Sequence, residues 1–413
     1  MVGYPAARVA TRSRYNGGDN NLTMTTEITL NLQRHYLTIA EAMRTIMSFD
    51  GEGRLILAFR DGTNYTRGLS GEVLLKCVVG PGHKERRRLS DDERRALLTE
   101  LLAHTRQMIE RVEATATPAA HDWFERIRRW DVARLEADRE RFRTVYKPIS
   151  ILPPDQYRAL VLQATEGCSW NRCHFCTFYR DRPFRIHSPA SFREHIHRVK
   201  AFVGAGLALR KAIFLGDANA LIIPQPRLRE LLSVVHDEFA IGPEADYKGI
   251  YAFLDIFGAE RKTLDEYREL AAAGVRRIYL GLESGDETVF RLLNKPGSPA
   301  ESIEAVRVIK TAGIAVGVIL LVGAGGDRFA AAHVQHSLAA IAAMHLGPED
   351  IVYLSPLIIT PDSPYLAQLQ DAGSSPLSAT AINDQLDQLK RGARAVVGSG
   401  AKVVIYHIEE FVY

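Results

Sequence analysis

From about residue 158 the chain alternates short, unbroken apolar runs with longer amphipathic stretches. The runs cover 158–164, 212–215, 250–256, 277–282, 315–322 and 351–357. Strands that are apolar on both faces belong in a sheet covered on both sides, which predicts parallel pairing with helices outside. Ser191, Thr263 and Ser302 stand near the starts of intervening helices. Six strand–helix repeats predict an α/β fold, either an open doubly wound sheet or a curved, partial (β/α)6 barrel of the TIM type, and periodicity alone does not choose between them.

Upstream, residues 27–147 show a mixed pattern. The stretch 37–43 reads as a short amphipathic helix with Thr38 as its cap. Residues 54–60 read as a strand with Asp61-Gly62 as its turn, and Ser90-Asp91-Asp92-Glu93 is a capping box for a helix to about Val112. A second long helix is expected over 121–144, with Trp123, Ile127, Trp130 and Leu135 near helical spacing. This is an N-terminal α+β module, expected to act as a lid or substrate module whose apolar faces (Leu55, Leu57, Trp123, Trp130) serve for docking. The Pro-rich segment 147–154 marks the boundary to the barrel, placed at 148–360, and 361–413 is expected to pack on it as a C-terminal extension. Residues 1–26, rich in Gly, Asn, Arg and Thr, are expected to be flexible, with Met24 an alternative start and no apolar secretory segment.

Composition narrows the function. With 46% hydrophobic and 24% charged residues, the chain has material for one large core and a smaller module. The net charge of +3, from 52 Lys+Arg against 49 Asp+Glu, makes no global case for nucleic acid or an anionic membrane. No apolar run approaches the roughly 20 residues of a membrane-spanning helix. Only four cysteines occur, three of them within nine residues, which suits a metal or redox site in a reducing compartment and favours the cytoplasm.

Those three, Cys168, Cys173 and Cys176, follow the first barrel strand, so they sit on the loop at its carboxyl end, where α/β folds gather ligands. Three thiolates on a cubane cluster leave one iron without a protein ligand, and that iron can bind a small molecule. Arg172, Arg180, Arg182 and Arg185 add positive charge nearby.

Over residues 148–357 the chain resembles the radical S-adenosylmethionine (SAM) enzymes. Cys173-His174-Phe175-Cys176 matches the family's Cys-x-aromatic-Cys ending, and Gly281-Leu282-Glu283-Ser284-Gly285-Asp286, with Leu293-Asn294-Lys295 after it, resembles the fourth strand of the branch containing methylthiotransferases and the elongator catalytic subunit. The resemblance implies a 4Fe-4S cluster on the three cysteines, with SAM chelated to the open iron. It also implies an external electron donor such as flavodoxin or ferredoxin, and a 5′-deoxyadenosyl radical that takes a hydrogen atom from a second substrate. It further implies that the backbone at Phe175 contacts the adenine and that Glu283, Ser284 and Lys295 contact SAM, with a structural ion pair the alternative for Glu283 and a helix cap the alternative for Lys295.

Three departures accompany it. Four residues separate Cys168 from Cys173 where the family has three. The Gly-Gly-Glu-like segment is represented by Gly216-Asp217-Ala218-Asn219, with Asp217 as the carboxylate for the methionyl amino group. Gly317-Val318-Ile319 opens the fifth-strand Gly-x-Ile-x-Gly pattern, but Leu321 stands in place of its second Gly.

A structural zinc on the three cysteines plus His174 is the bland competitor, and it leaves 281–285 unexplained. Cys77 lies in an apolar run and reads as a small buried hydrophobe. Tyr251, Tyr279, Tyr353 and Asp255 read as packing residues. Gly323-Ala324-Gly325-Gly326-Asp327 lacks the Lys-Ser/Thr of a phosphate loop and reads as a turn. The Arg-rich stretches near 86–88 and 126–129 are interleaved with acids, so a solvated face is favoured over an RNA surface. With no second cysteine cluster and no sign of a cobalamin domain, a small-molecule substrate is preferred to RNA or protein.

Overall fold

The computed structural model describes residues 28–42, 44–80, 83–255, 261–359 and 363–413. The expectations for residues 1–26, Met24 included, lie outside them. The chain divides into two compact units: Met1–Ser150 with Arg198–Arg210 and Glu409–Tyr413, and Ile151–His197 with Lys211–Ile408.

The first unit holds a seven-stranded antiparallel sheet in sequential order: β1 (Ile28–Leu32), β2 (Tyr36–Glu41), β3 (Thr45–Asp50), β4 (Leu55–Arg60), β5 (Thr63–Arg67), β6 (Val73–Gly80) and β7 (His83–Arg88). Alternation explains it: Leu37, Ile39, Met47 and Phe49 point to one face and are fully buried, while Tyr36, Thr38, Ile46 and Ser48 between them are partly exposed. That face packs on α1 (Asp91–Val112) and α2 (Pro118–Arg128) through Leu98, Leu101, Met108, Trp123, Phe124 and Ile127. The capping box of α1 forms as its sequence indicates.

Two expectations for this unit are corrected. Residues 37–41 belong to a strand, because β2 has long-range partners on both sides, β1 and β3. The helix expected over 121–144 is two helices, α2 and α3 (Val132–Val145): Asp131 Oδ1 accepts from Arg134 N at 2.7 Å and starts a new helix there. Beside that break Arg54 is buried, paired with Asp50 and Asp138, donating to the carbonyls of Phe202 and Val203, and stacked against Trp130 and Phe202.

The second unit is an all-parallel, sequentially ordered sheet, a partial TIM-like barrel. Its chain order is β8 (Leu160–Gln163), a small hairpin of β9 (Thr165–Glu166) with β10 (Arg185–Ile186), α4 (Pro189–Val203), β11 (Ile213–Gly216), α5 (Gln225–Glu238), β12 (Ile250–Phe253), α6 (Leu264–Ala272), β13 (Val275–Glu283), α7 (Glu287–Leu292), α8 (Pro299–Thr311), β14 (Ala315–Val322), α9 (Gly326–Ala343), β15 (Ile351–Pro356), α10 (Pro364–Asp371), α11 (Ala379–Val397) and β16 (Lys402–Ile405). Every apolar run of the barrel region became a strand. The sheet has seven strands where six were expected: β16 pairs in parallel with β15, so the 361–413 extension contributes a strand as well as helices.

The Asp155 carboxylate, just before β8, accepts from Tyr279 and Tyr353 hydroxyls, each at 2.6 Å, and from Arg277 Nη1 at 2.7 Å. Gly317 fits beside these rings, where a Cβ would overlap Tyr279. The interior is thus filled from the amino-terminal side, and the opening is left to the carboxyl ends of the strands.

Candidate active site

A cavity of about 170 Å³ lies at that end, and Cys168, Cys173 and Cys176 all line it. Their loop has almost no regular structure of its own and is held by its surroundings. Trp170 Nε1 donates to Asn294 O at 2.9 Å, His174 N donates to Leu293 O at 3.0 Å, and Asn294 Nδ2 donates back to Arg172 O at 2.8 Å. The turn after α7 is therefore the loop's docking surface, a role the sequence motif Leu293-Asn294-Lys295 does not advertise. His174 Nδ1 is 2.9 Å from Leu292 O, which commits that ring nitrogen to the turn.

Burial pushes all three thiols above the ordinary cysteine range, Cys176 to about 11. Lys295 pulls Cys168 and Cys173 back down. The loop arginines do less than expected. Arg182 is taken by Asp217 and Asp181, Arg180 donates to Cys173 O, and Arg172 lies over Trp170.

Glu283 faces the same cavity. A bulge in the β13–β14 register, between Gly281 and Glu283, and a left-handed backbone at Glu283 (φ 60°) turn its carboxyl there. Gly281 supplies the room, since a Cβ at 281 would overlap that carboxyl. Burial raises the Glu283 carboxyl to about 7, Lys295 opposing and Asp255 reinforcing the rise. Lys295, itself buried, bridges Asp255 Oδ1 at 2.5 Å and Glu283 Oε1 at 3.4 Å. Burial works against its charge, but the two carboxylates outweigh that and hold it protonated.

Of the residues singled out from sequence, Phe175, Glu283 and Ile319 line the cavity with the cysteines, and Leu321, the residue in place of a glycine, lines it too. Lys295 is not among the lining residues and pairs with Glu283 and Asp255. Ser284 turns away: its Oγ accepts from Asp286 N at 3.0 Å and is 2.8 Å from His333 Nδ1. Gly317 is packed between tyrosines, and Gly216 against Val161 and Gln163. Asp217 faces Arg182 and Gly167 instead of the cavity, and Ala218 and Asn219 line the wall at that point. Asn219 was missed as a site residue. It exchanges hydrogen bonds with the backbone of Asp255 and joins the ends of β11 and β12. Asp255, read as packing, is a cavity residue. Cys77 is half-buried on β6 with its Sγ 3.7 Å from Glu85 Oε2, not a buried hydrophobe.

Residues 162–330 match the family model described as Radical SAM superfamily. That match spans 169 of the 413 residues, a radical SAM domain over about two fifths of the chain. Among curated proteins, 4′-phospho-dehydrooxetanocin synthase from Priestia megaterium is 25% identical over 170 residues, covering 38% of this chain and 22% of that protein. The aligned stretch thus amounts to about a fifth of that relative's length. Solved structures that resemble it include coproporphyrinogen III oxidase (HemN) from Escherichia coli, 17% identical over 65% of this chain and 61% of that one with a TM-score of 0.41. Another is the radical SAM methyltransferase TsrM from Kitasatospora setae with cobalamin and a [4Fe-4S] cluster bound, 16% identical over 62% and 58% with a TM-score of 0.41.

Radical SAM enzymes use a 4Fe-4S cluster and SAM, and the residues present fit them. Three thiols share one cavity wall, the donor set of a cluster with an open iron. Among the described residues no group of three or more His, Cys, Asp or Glu side chains forms a ready single-metal site. Among the described residues no helix is long and apolar enough to cross a membrane.

His333 of α9 gives this radical SAM barrel an acid-sensitive point. It is fully buried, and burial lowers its imidazole from 6.5 to about 4. Between those values the unfolded chain binds the extra proton, so stability present above pH 6.5 is lost as pH falls toward 4, by about 3 kcal/mol over the whole window. Urea unfolding at about pH 7 and about pH 5 should show a larger drop for the native chain than for His333→Gln. Equal drops would mean that His333 does not titrate in this window.

Proposed function

We propose that Cys168, Cys173 and Cys176 hold the cluster and that SAM lies in the adjoining cavity against Phe175, Glu283 and Ile319. The observation that carries this reading is the convergence of the three thiols and the fourth-strand acid on one cavity. When bound, the cluster and SAM supply one-electron cleavage chemistry that gives methionine and a 5′-deoxyadenosyl radical. The chain's own task is to position the second substrate and exclude water and stray hydrogen donors. Apolar residues Phe253, Leu254, Leu357 and Ile358 supply that exclusion, while Asn219, Asp255 and Glu283 offer the polar contacts. Glu283, near neutral in pKa, can donate or accept a hydrogen bond at working pH. The second substrate in this reading is a small molecule, with an external protein such as flavodoxin or ferredoxin delivering the electron and residues 27–147 acting as a lid or substrate module.

The test is to incubate the reconstituted, reduced protein and SAM with a metabolite extract. A compound should appear that stimulates 5′-deoxyadenosine formation and is itself consumed. Stimulation by RNA or protein fractions alone would overturn the small-molecule reading.

A further inference from the structure

Gly167 and Arg182 bracket the segment that carries all three thiols, and both donate to a single oxygen. Gly167 N reaches Asp217 Oδ2 at 3.1 Å, and Arg182 reaches the same atom from Nε at 3.1 Å and from Nη2 at 3.0 Å. Asp217 N donates to Thr165 Oγ1 at 2.9 Å, and Gln163 Nε2 is 3.4 Å from Asp217 Oδ1, so the end of β8 is tied in as well. Asp217 and Arg182 are only 6% and 7% exposed, which shields these charged bonds from water. The two legs of the loop touch here: Gly167 has φ +75°, and a Cβ on it would meet Pro183 O at 2.8 Å.

We propose that Asp217 is a positioning residue, a clasp that closes the neck of the cysteine loop and fixes where its three thiols stand, rather than a ligand of SAM. The loop has almost no regular structure between residues 168 and 181, so its geometry must come from its anchors. The turn after α7, together with Ser363, whose hydroxyl donates to His174 O at 3.1 Å, holds its middle; this carboxylate holds its neck. An open neck would give the thiols many arrangements, and each iron bound would have to select one of them. The significance of the clasp for catalysis rests on the reading that the loop holds the cluster, but its mechanical effect can be measured without iron.

The test uses the metal-free full chain and its near-isosteric Asp217→Asn variant. Alkylation by iodoacetamide is resolved at each cysteine by mass spectrometry, and deuterium exchange at β14 reports on the barrel core. Cys168, Cys173 and Cys176 should react about tenfold faster in the variant while exchange at β14 stays unchanged. After iron–sulfur reconstitution, a chelator should remove iron faster from the variant, and its reduced-state EPR lines should broaden. Arg182→Gln leaves the Gly167 bond in place and should show the same changes in smaller measure, which keeps the test available if Asp217→Asn does not fold. Thiol rates within about twofold of the native chain, or faster exchange at β14 in step with them, would overturn the proposal. Faster thiols in a protein that takes up no iron in either form would support the clasp and refute the cluster reading.

Discussion

Replacing Cys168, Cys173 or Cys176 singly with Ala is expected to take the anaerobically reconstituted protein from about four irons per chain to nearly none. The three thiols line one cavity, and His174, the donor between Cys173 and Cys176 in sequence, has Nδ1 engaged by Leu292 O. Two thiolates do not retain a cubane cluster with an open iron, so the loss should be near complete rather than partial. Cys77→Ala should keep the full iron content, because its Sγ lies beside Glu85 on an antiparallel strand of the other unit. Iron and sulfide assays with the charge-transfer absorbance of the cluster decide both points. Loss of iron in the Cys77 variant would make that residue a fourth ligand and leave no iron open for SAM.

Lys295→Met should be among the most destabilising single substitutions in the barrel, at about 3–5 kcal/mol by urea unfolding of the metal-free protein. The side chain of Lys295 is 3% exposed and sits between Asp255 and Glu283. Removing it strands two carboxylates against each other in a poorly solvated wall. Adding Glu283→Gln to Lys295→Met should recover part of the loss, since one of the opposed charges is then gone. A cost below about 1 kcal/mol for Lys295→Met, or no recovery in the double variant, would show that the three groups do not act as a unit.

The barrel strands were legible because each is covered on both faces and so reads as a continuous apolar run. β16 was not: Val403-Val404-Ile405-Tyr406 is an apolar run as short as 212–215, over a partly exposed edge strand that no α-helix follows. The N-terminal meander was largely hidden for another reason. Its strands alternate over only five to eight residues, and β2 carries a plausible cap at Thr38, so local signals favoured a helix that pairing with β1 and β3 overrides. In the site, the cysteines stood out by their spacing, and Phe175, Glu283 and Ile319 by the family resemblance; all of them line one cavity. The partners of Asp217 and Lys295 were not legible, because Arg182, Asp255 and Glu283 come from distant parts of the chain. Asn219 had a signal, its place in the loop after β11, but not one that distinguished it from Asp217.

The central claim is that three thiols hold a cluster whose fourth iron is left for SAM. It is tested most directly by EPR of the anaerobically reconstituted, reduced protein recorded with and without SAM. The account predicts a reduced-cluster signal, from about four irons per chain, whose g-values shift when SAM is added and which is absent from the Cys168→Ala variant. A protein that instead binds stoichiometric zinc, or a cluster signal that SAM leaves unchanged, would contradict it.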